Sequence, residues 1–108
     1  MLPDDFDDEP GSEGALAVEE RPETRRPRRF KVLLHNDDFT TMEFVVEVLV
    51  EHFHKSAAEA THVMLQVHHR GVGVAGVYPR EAAETKVAEV TAVARARQMP
   101  LLVTLEEE

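Results

Sequence analysis

Phe30-Lys31-Val32-Leu33-Leu34 is a short, nearly continuous apolar run, the mark of a well-covered strand. It stops at Asn36-Asp37-Asp38, after which the apolar period changes to that of a helix. Thr40 and Glu43 stand at capping-box spacing, which predicts a helix from about Thr41 to His54. In it Val45, Val48, Leu49 and Phe53 form one stripe, Val46 and Val50 widen it, and Glu43, Glu47 and Glu51 fall on the wet side. Its many β-branched residues mean that packing rather than propensity must hold this helix. Ser56 and Glu59 repeat the capping spacing and start a second helix, Ala57 to about His69, striped by Ala60, Val63, Met64 and Val67 and ended by Gly71. So short a loop predicts that the two helices pack as an antiparallel hairpin. Gly73 to Tyr78 reads as a second strand, weakened by its glycines. Pro79 then opens a third helix as a first-turn proline. That helix runs to about Gln98, with Ala83, Val87, Val90 and Ala94 inward and Glu81, Glu84, Lys86 and Glu89 outward. Pro100 precedes a last strand, Leu101 to Leu105, and Glu106 to Glu108 close the chain in solvent.

The predicted order is β-α-α-β-α-β. If each element reverses direction, the second and third strands run opposite to the first, and the sheet is antiparallel when the first strand lies between them. The expectation is a small two-layer α+β domain: a three-stranded antiparallel sheet covered on one face by three helices.

Composition narrows this further. The first 29 residues hold nine acids, five arginines and four of the six prolines, with few large apolar side chains. Such a segment cannot bury enough apolar surface to offset its ordering entropy, so residues 1–28 are expected to be a disordered acidic arm and residues 29–108 the folded domain. Net charge is −9, of which −4 falls in the first 29 residues and −5 in the remainder. A negative domain argues against nucleic acid, which needs a basic footprint. The cluster Arg25-Arg26-Pro27-Arg28-Arg29 is short and is expected to balance local acids. There is no cysteine, which removes disulfide scaffolds, thiolate metal sites and cysteine nucleophiles and fits a reducing compartment. The acidic start does not suit a signal peptide, and no apolar run approaches membrane-spanning length. The expectation is a soluble, cytoplasmic protein.

Enzyme signals are weak. Gly71-Val-Gly73-Val-Ala-Gly76 imitates a dinucleotide fingerprint, but it runs from a helix into a strand rather than the reverse. The serines are Ser12, in the arm, and Ser56, a cap, so no serine nucleophile stands out. His68 and His69 are adjacent and diverge on a helix. A metal held by His68 and Asp37 lacks a third ligand. A binding pocket is the better candidate. Asn36, Asp37 and His68 offer an amide oxygen, a carboxylate and an imidazole, suited to the three donors of one ammonium group. Met42 and Met64, with Thr40, Val45 and Val67, could line an adjoining apolar cavity, since methionine adapts to bulky ligands. On periodicity alone the plainer account is that Met42, Val45, Met64 and Val67 are core, and that Asn36-Asp37-Asp38 is a turn with a helix cap.

The segment from Arg29 to Glu106 resembles ClpS, the adaptor of the bacterial ATP-dependent Clp protease that selects N-degron substrates. The resemblance rests on Asn36-Asp37-Asp38-Phe39-Thr40, Met42-Glu43-Phe44-Val45, Met64-Leu65 with Val67-His68, Gly76-Val77, Ala83-Glu84-Thr85-Lys86-Val87 and Pro100-Leu101. It implies a non-catalytic, monomeric adaptor without cofactor or metal, which binds proteins whose first residue is Leu, Phe, Tyr or Trp. It further implies that Asn36, Asp37 and His68 hold the α-amino group. Thr40, Met42, Val45, Met64, Val67 and Leu101 would line the side-chain pocket, with Met42 at its mouth. Glu81 and Lys86 would dock on the N-terminal domain of a ClpA-type unfoldase, and the arm would help pass substrate on.

Two positions depart from the family's pattern. Thr41 replaces a common proline, with little effect expected on the helix start. His35 replaces an apolar residue and is expected to narrow the pocket or give it a polar wall. The rival readings are an interaction domain of the ribosomal-stalk C-terminal type, which shares the order of elements, and a metal-dependent hydrolase built on Asp37 and His68.

Overall fold

A computed structural model describes residues 27–108, in the order β1 (Arg29–His35), α1 (Met42–Phe53), α2 (Ala57–Arg70), β2 (Val72–Pro79), α3 (Arg80–Ala96) and β3 (Leu102–Glu107). All but the last two residues of the expected arm, 1–28, lie outside the described residues. The sheet has the order β2-β1-β3, and both pairings of β1 are antiparallel, as the element count predicts.

The alternation of β1 decides which side of the sheet is core. Val32 and Leu34 are both 0 % exposed and face the helices, while Lys31, Leu33 and His35 alternate onto the other side, where they are half-buried. A register shift between Val32 and Leu33 in the β1–β2 pair leaves Ala75 opposite no partner. The core joins Val32 and Leu34 to Phe44, Val48, Leu49 and Phe53 of α1, Ala60, Val63 and Val67 of α2, Ala83, Val90 and Ala94 of α3, and Leu101 and Val103. Apart from Phe44, which the sequence reading left out, the helical positions are the stripes read from the sequence, with Met64 and Val87 half-buried and Val50 exposed.

Several boundaries and contacts differ from expectation, each for a local reason. α1 is capped by Thr41, whose Oγ1 accepts from the Phe44 N–H at 3.1 Å, not by Thr40 paired with Glu43. The Thr40 hydroxyl is turned instead to a carboxylate, the stronger acceptor. In α2 the Ser56–Glu59 capping box is present in both directions. Pro79 occupies the N-cap of α3 rather than its first turn. β3 begins one residue after Leu101 and runs on to Glu107, because its backbone continues to pair with Phe30 and Lys31 of β1. Lys86, expected outward, is half-buried: its ammonium donates to the His52 carbonyl at 2.7 Å and lies 5.9 Å from the Phe53 ring centre. α1 leaves its last carbonyls unpaired, and a lysine reaching across from α3 satisfies one of them.

Candidate functional site

The turn Asn36–Thr40 links the central strand to α1, so its geometry is set by a buried strand on one side and a capped helix on the other. Its organiser is Asp37. One carboxylate oxygen accepts from the Phe39 N–H at 2.8 Å and the Thr40 N–H at 2.7 Å, and the other accepts from Thr40 Oγ1 at 2.7 Å. Partial burial alone raises the Asp37 pKa, but these hydrogen bonds and the field of Arg95 outweigh it and hold the group below its ordinary value. A carboxylate has about four acceptor positions, and three are taken, so one remains for a donor from outside. Asn36 is tied in by its backbone N–H, which donates to the Gly71 carbonyl at 2.9 Å, and this joins the turn to the end of α2.

That junction opens onto a cavity of about 290 Å³ lined by Asn36, Asp37, Asp38, Thr40, Met42, Val45, Met64, Val67 and His68. One end is polar, from the turn and His68; the other is apolar, from the first turns of α1 and the middle of α2. Eight of the nine residues singled out from the sequence for amino-group and side-chain recognition line this one cavity; Leu101 does not. Leu101 is 1 % exposed, within the same core cluster as Val45 and Val67. Asp38 lines the cavity without having been singled out, although the run Asn36-Asp37-Asp38 contains it. Phe39, its neighbour, is 78 % exposed, an unusual position for a large aromatic.

His35 is not part of this cavity. It lies on the face of β1 away from Val32 and Leu34, with Nε2 2.8 Å from Thr104 Oγ1 on β3. The expected narrowing of the pocket is therefore corrected: strand alternation turns residue 35 to the other side of the sheet. Glu81 and Lys86 also lie away from the cavity, on α3, with Glu81 exposed in its first turn.

Gly73 explains how α2 comes close enough to supply Val67. A Cβ added there would meet Val67 Cγ2 at 2.8 Å and the Val63 carbonyl oxygen at 3.4 Å, so only glycine lets β2 run this near the helix. Among the described residues no group of three or more His, Asp or Glu side chains is placed to hold a metal, and no helix is long and apolar enough to cross a membrane.

Comparison with known proteins gives consistent results. Residues 25–104 match the family of the ATP-dependent Clp protease adaptor protein ClpS. The chain is 55% identical over 108 residues to the ATP-dependent Clp protease adapter protein ClpS of Desulfatibacillum aliphaticivorans, covering 100% of both. It is 54% identical over 99 residues to the protein of that name from Deinococcus radiodurans, covering 92% of this chain and 88% of the relative. The structure of Agrobacterium tumefaciens ClpS2 bound to L-phenylalaninamide superposes with a TM-score of 0.74 at 41% identity, covering 77% of this chain and 100% of that one. With a matched region that spans β1, the turn, all three helices, β2 and the first half of β3, the chain belongs to the ClpS family of Clp protease adaptor proteins.

Proposed function

We propose that this adaptor binds the first residue of proteins beginning with Leu, Phe, Tyr or Trp and delivers them to a ClpA-type unfoldase of the Clp protease. The observation that carries the reading is the single cavity in which Asn36, Asp37 and His68 converge beside Met42, Val45, Met64 and Val67. A free α-amino group is an ammonium with three donors, and burying it is unfavourable unless they are paired. The unused acceptor position of Asp37, the Asn36 amide oxygen and a neutral His68 nitrogen supply three partners. Thr40 and the apolar walls take the side chain, with Met42 at the mouth and Leu101 behind them in the core. L-phenylalaninamide, the ligand of the Agrobacterium relative, has this chemistry: a free amine beside an aromatic side chain. The protein acts as a monomer in this reading, makes and breaks no bond, and uses Glu81 and Lys86 to dock on the unfoldase.

The test is fluorescence anisotropy with a labelled Leu-starting peptide, the same peptide extended by an N-terminal methionine, and an acetylated copy. Binding of the free Leu peptide alone is expected. Equal binding of the acetylated copy would sink the amino-group assignment.

A further inference from the structure

The sheet has two faces, and the helices cover one of them. On the other, residues paired across neighbouring strands share a side. The registers place Val74, Leu33 and Thr104 in one row and Val72, His35 and Leu102 in the next. An open antiparallel face ordinarily turns polar side chains to water. Here four of these six are aliphatic, and Val72, Val74 and Leu102 are exposed. The two polar members satisfy each other, with His35 Nε2 2.8 Å from Thr104 Oγ1. The patch therefore asks for an apolar partner. The row beyond it, toward the start of β1, is centred on Lys31.

Size narrows what can cover it. Strands about 4.8 Å apart make the patch roughly 10 Å wide, and its two rows lie about 7 Å apart. That is a few hundred Å² at most, well under the roughly 800 Å² per partner of a stable protein–protein interface. The area is too small for a second copy of the chain, but it fits a short extended segment, and one is already attached. The described chain begins at Pro27, which with Arg29, Val77 and Pro79 lines a pocket of about 420 Å³. Arg29 and Val77 lie on the same side of the sheet as Leu33, by alternation and register. The chain thus enters β1 over the open face. Upstream, the longest apolar run is Ala15-Leu16-Ala17-Val18, followed by Glu19 and Glu20. An extended segment turns every second side chain to one side, at the spacing of the rows. With Leu16 over the row of His35, Val18 falls over that of Leu33, and Glu20 over that of Lys31. Residues 19–28 span up to about 33 Å, and β1, of seven residues, is about 23 Å long. The linker is long enough.

We infer that residues 15–18 dock on the open face of the sheet, extended and antiparallel to β1, with Leu16 and Val18 covering the patch. The run is the exception in an arm whose composition otherwise opposes burial. Tethering lets so few side chains suffice, because a short linker presents the second site at an effective concentration in the millimolar range. The docking face lies across the sheet from the cavity, so the arm is held without competing for a peptide there.

The chain has no cysteine, so Ala17→Cys accepts a single nitroxide label, on a side chain that alternation turns away from the sheet. Methyl NMR of this full chain, with the label oxidised and then reduced, reads which methyl groups it approaches. The expected result is a loss of signal greatest at Val72, Val74 and Leu102 and weaker at Val45, Val67 and Val90, which face the helical layer. Adding Leu16→Glu and Val18→Glu, both outside the folded layers, should restore the signals of the open face. Equal loss on both sides of the sheet, or a selective loss that survives the double substitution, would show only a tether passing by and would overturn the inference. So would the same loss in isotope-labelled, nitroxide-free chain mixed with labelled chain, since a second copy would then cover the face.

Discussion

α3 and the α1–α2 pair both turn an apolar stripe to the same sheet, yet the cavity that gathers the turn residues lies on the side of the pair. On α3 the fully buried positions are Ala83, Val90 and Ala94, side chains short enough for the helix to lie close against the strands. On the α1–α2 side the stripes extend past the core into Met42 and Met64, which are long, unbranched and only partly covered. Across from them, where a further apolar layer would close the space, stands a turn of Asn36, Asp37 and Asp38. The same periodicity thus builds a sealed interface where side chains are small, and a lined opening where long side chains meet a polar turn.

The sharpest way to break this contrast is to remove the charge that organises the turn. Asp37→Ala deletes the acceptors used by Phe39 N–H, Thr40 N–H and Thr40 Oγ1, along with the partner proposed for the α-amino group. Losing one charge-assisted partner costs about 1.5–3 kcal/mol, which is roughly tenfold to a hundredfold in peptide affinity. The sealed side should hardly respond, so the loss in binding should exceed the change in thermal midpoint. Acid reads the same group. The Asp37 pKa is lowered in the folded protein, so its contribution is complete above the unfolded value of about 3.9 and is lost as pH falls through the lower folded value. Peptide affinity should therefore be insensitive to Asp37 from neutrality down through the ordinary carboxylate range, and should fall only as pH drops through the lowered folded value. At the alkaline end it should fall as the peptide's own amine, near pKa 8, loses its proton. An acid response that is the same in Asp37→Ala as in the unaltered chain would exclude the carboxylate from the site.

Gly73→Ala attacks the contrast from behind. The new Cβ would lie 2.8 Å from Val67 Cγ2, so α2 must shift or Val67 must move toward the cavity. Overpacking of this kind costs about 1–3 kcal/mol. Both the stability of the domain, by denaturant melts, and the affinity for the peptide should fall. A stability loss with unchanged affinity would show that α2 moves away as a unit and leaves the cavity intact.

The helix caps give a smaller and more local test. Thr41→Ala removes the acceptor for the Phe44 N–H at the start of α1, beside the cavity, at a cost of about 0.5–2 kcal/mol. Ser56→Ala removes the corresponding acceptor at the start of α2, away from the cavity lining. Both should lower the melting temperature, but only Thr41→Ala should also weaken peptide binding, through Met42 in the first turn. Equal effects on binding would mean that the pocket does not depend on where α1 begins.

The caps also show what could be read in advance. Ser56 and Glu59 were legible because both halves of the motif lie within one turn and no third group competes for them. Thr40 and Glu43 have the same spacing, but Asp37 takes the Thr40 hydroxyl, and the cap passes to Thr41. Element order and core stripes were legible for a similar reason: periodicity is a local property, and Val45, Ala60 or Val90 need no knowledge of the rest of the chain. Convergence of Asn36 with His68 depends on how α2 returns to the turn through the Asn36–Gly71 hydrogen bond, and here the resemblance to a family supplied what spacing does not. His35 was misjudged because its place beside the pocket was taken from the family's pattern, while alternation along β1 sends it to the other face. Lys86 was judged by helical periodicity alone, which cannot see a carbonyl offered by another helix.

The smallest expected effect belongs to the acidic end of β3, which lay beyond the predicted strand. Arg28 Nε is 3.5 Å from Glu107, and Arg29 Nε is 3.3 Å from Glu108, all four side chains being more than half exposed. Pairs of this kind contribute no more than about 1 kcal/mol and are screened by salt. What holds the extension is backbone pairing, Phe30 opposite Glu107 and Lys31 opposite Glu106, with the Glu108 N–H donating to the Arg29 carbonyl at 2.9 Å. Glu107→Gln should therefore leave amide hydrogen-exchange protection across Phe30 and Lys31 nearly unchanged at 0.5 M salt, with only a slight loss at low salt. A large loss at both would mean that charge, rather than the ladder, extends the strand past Leu105.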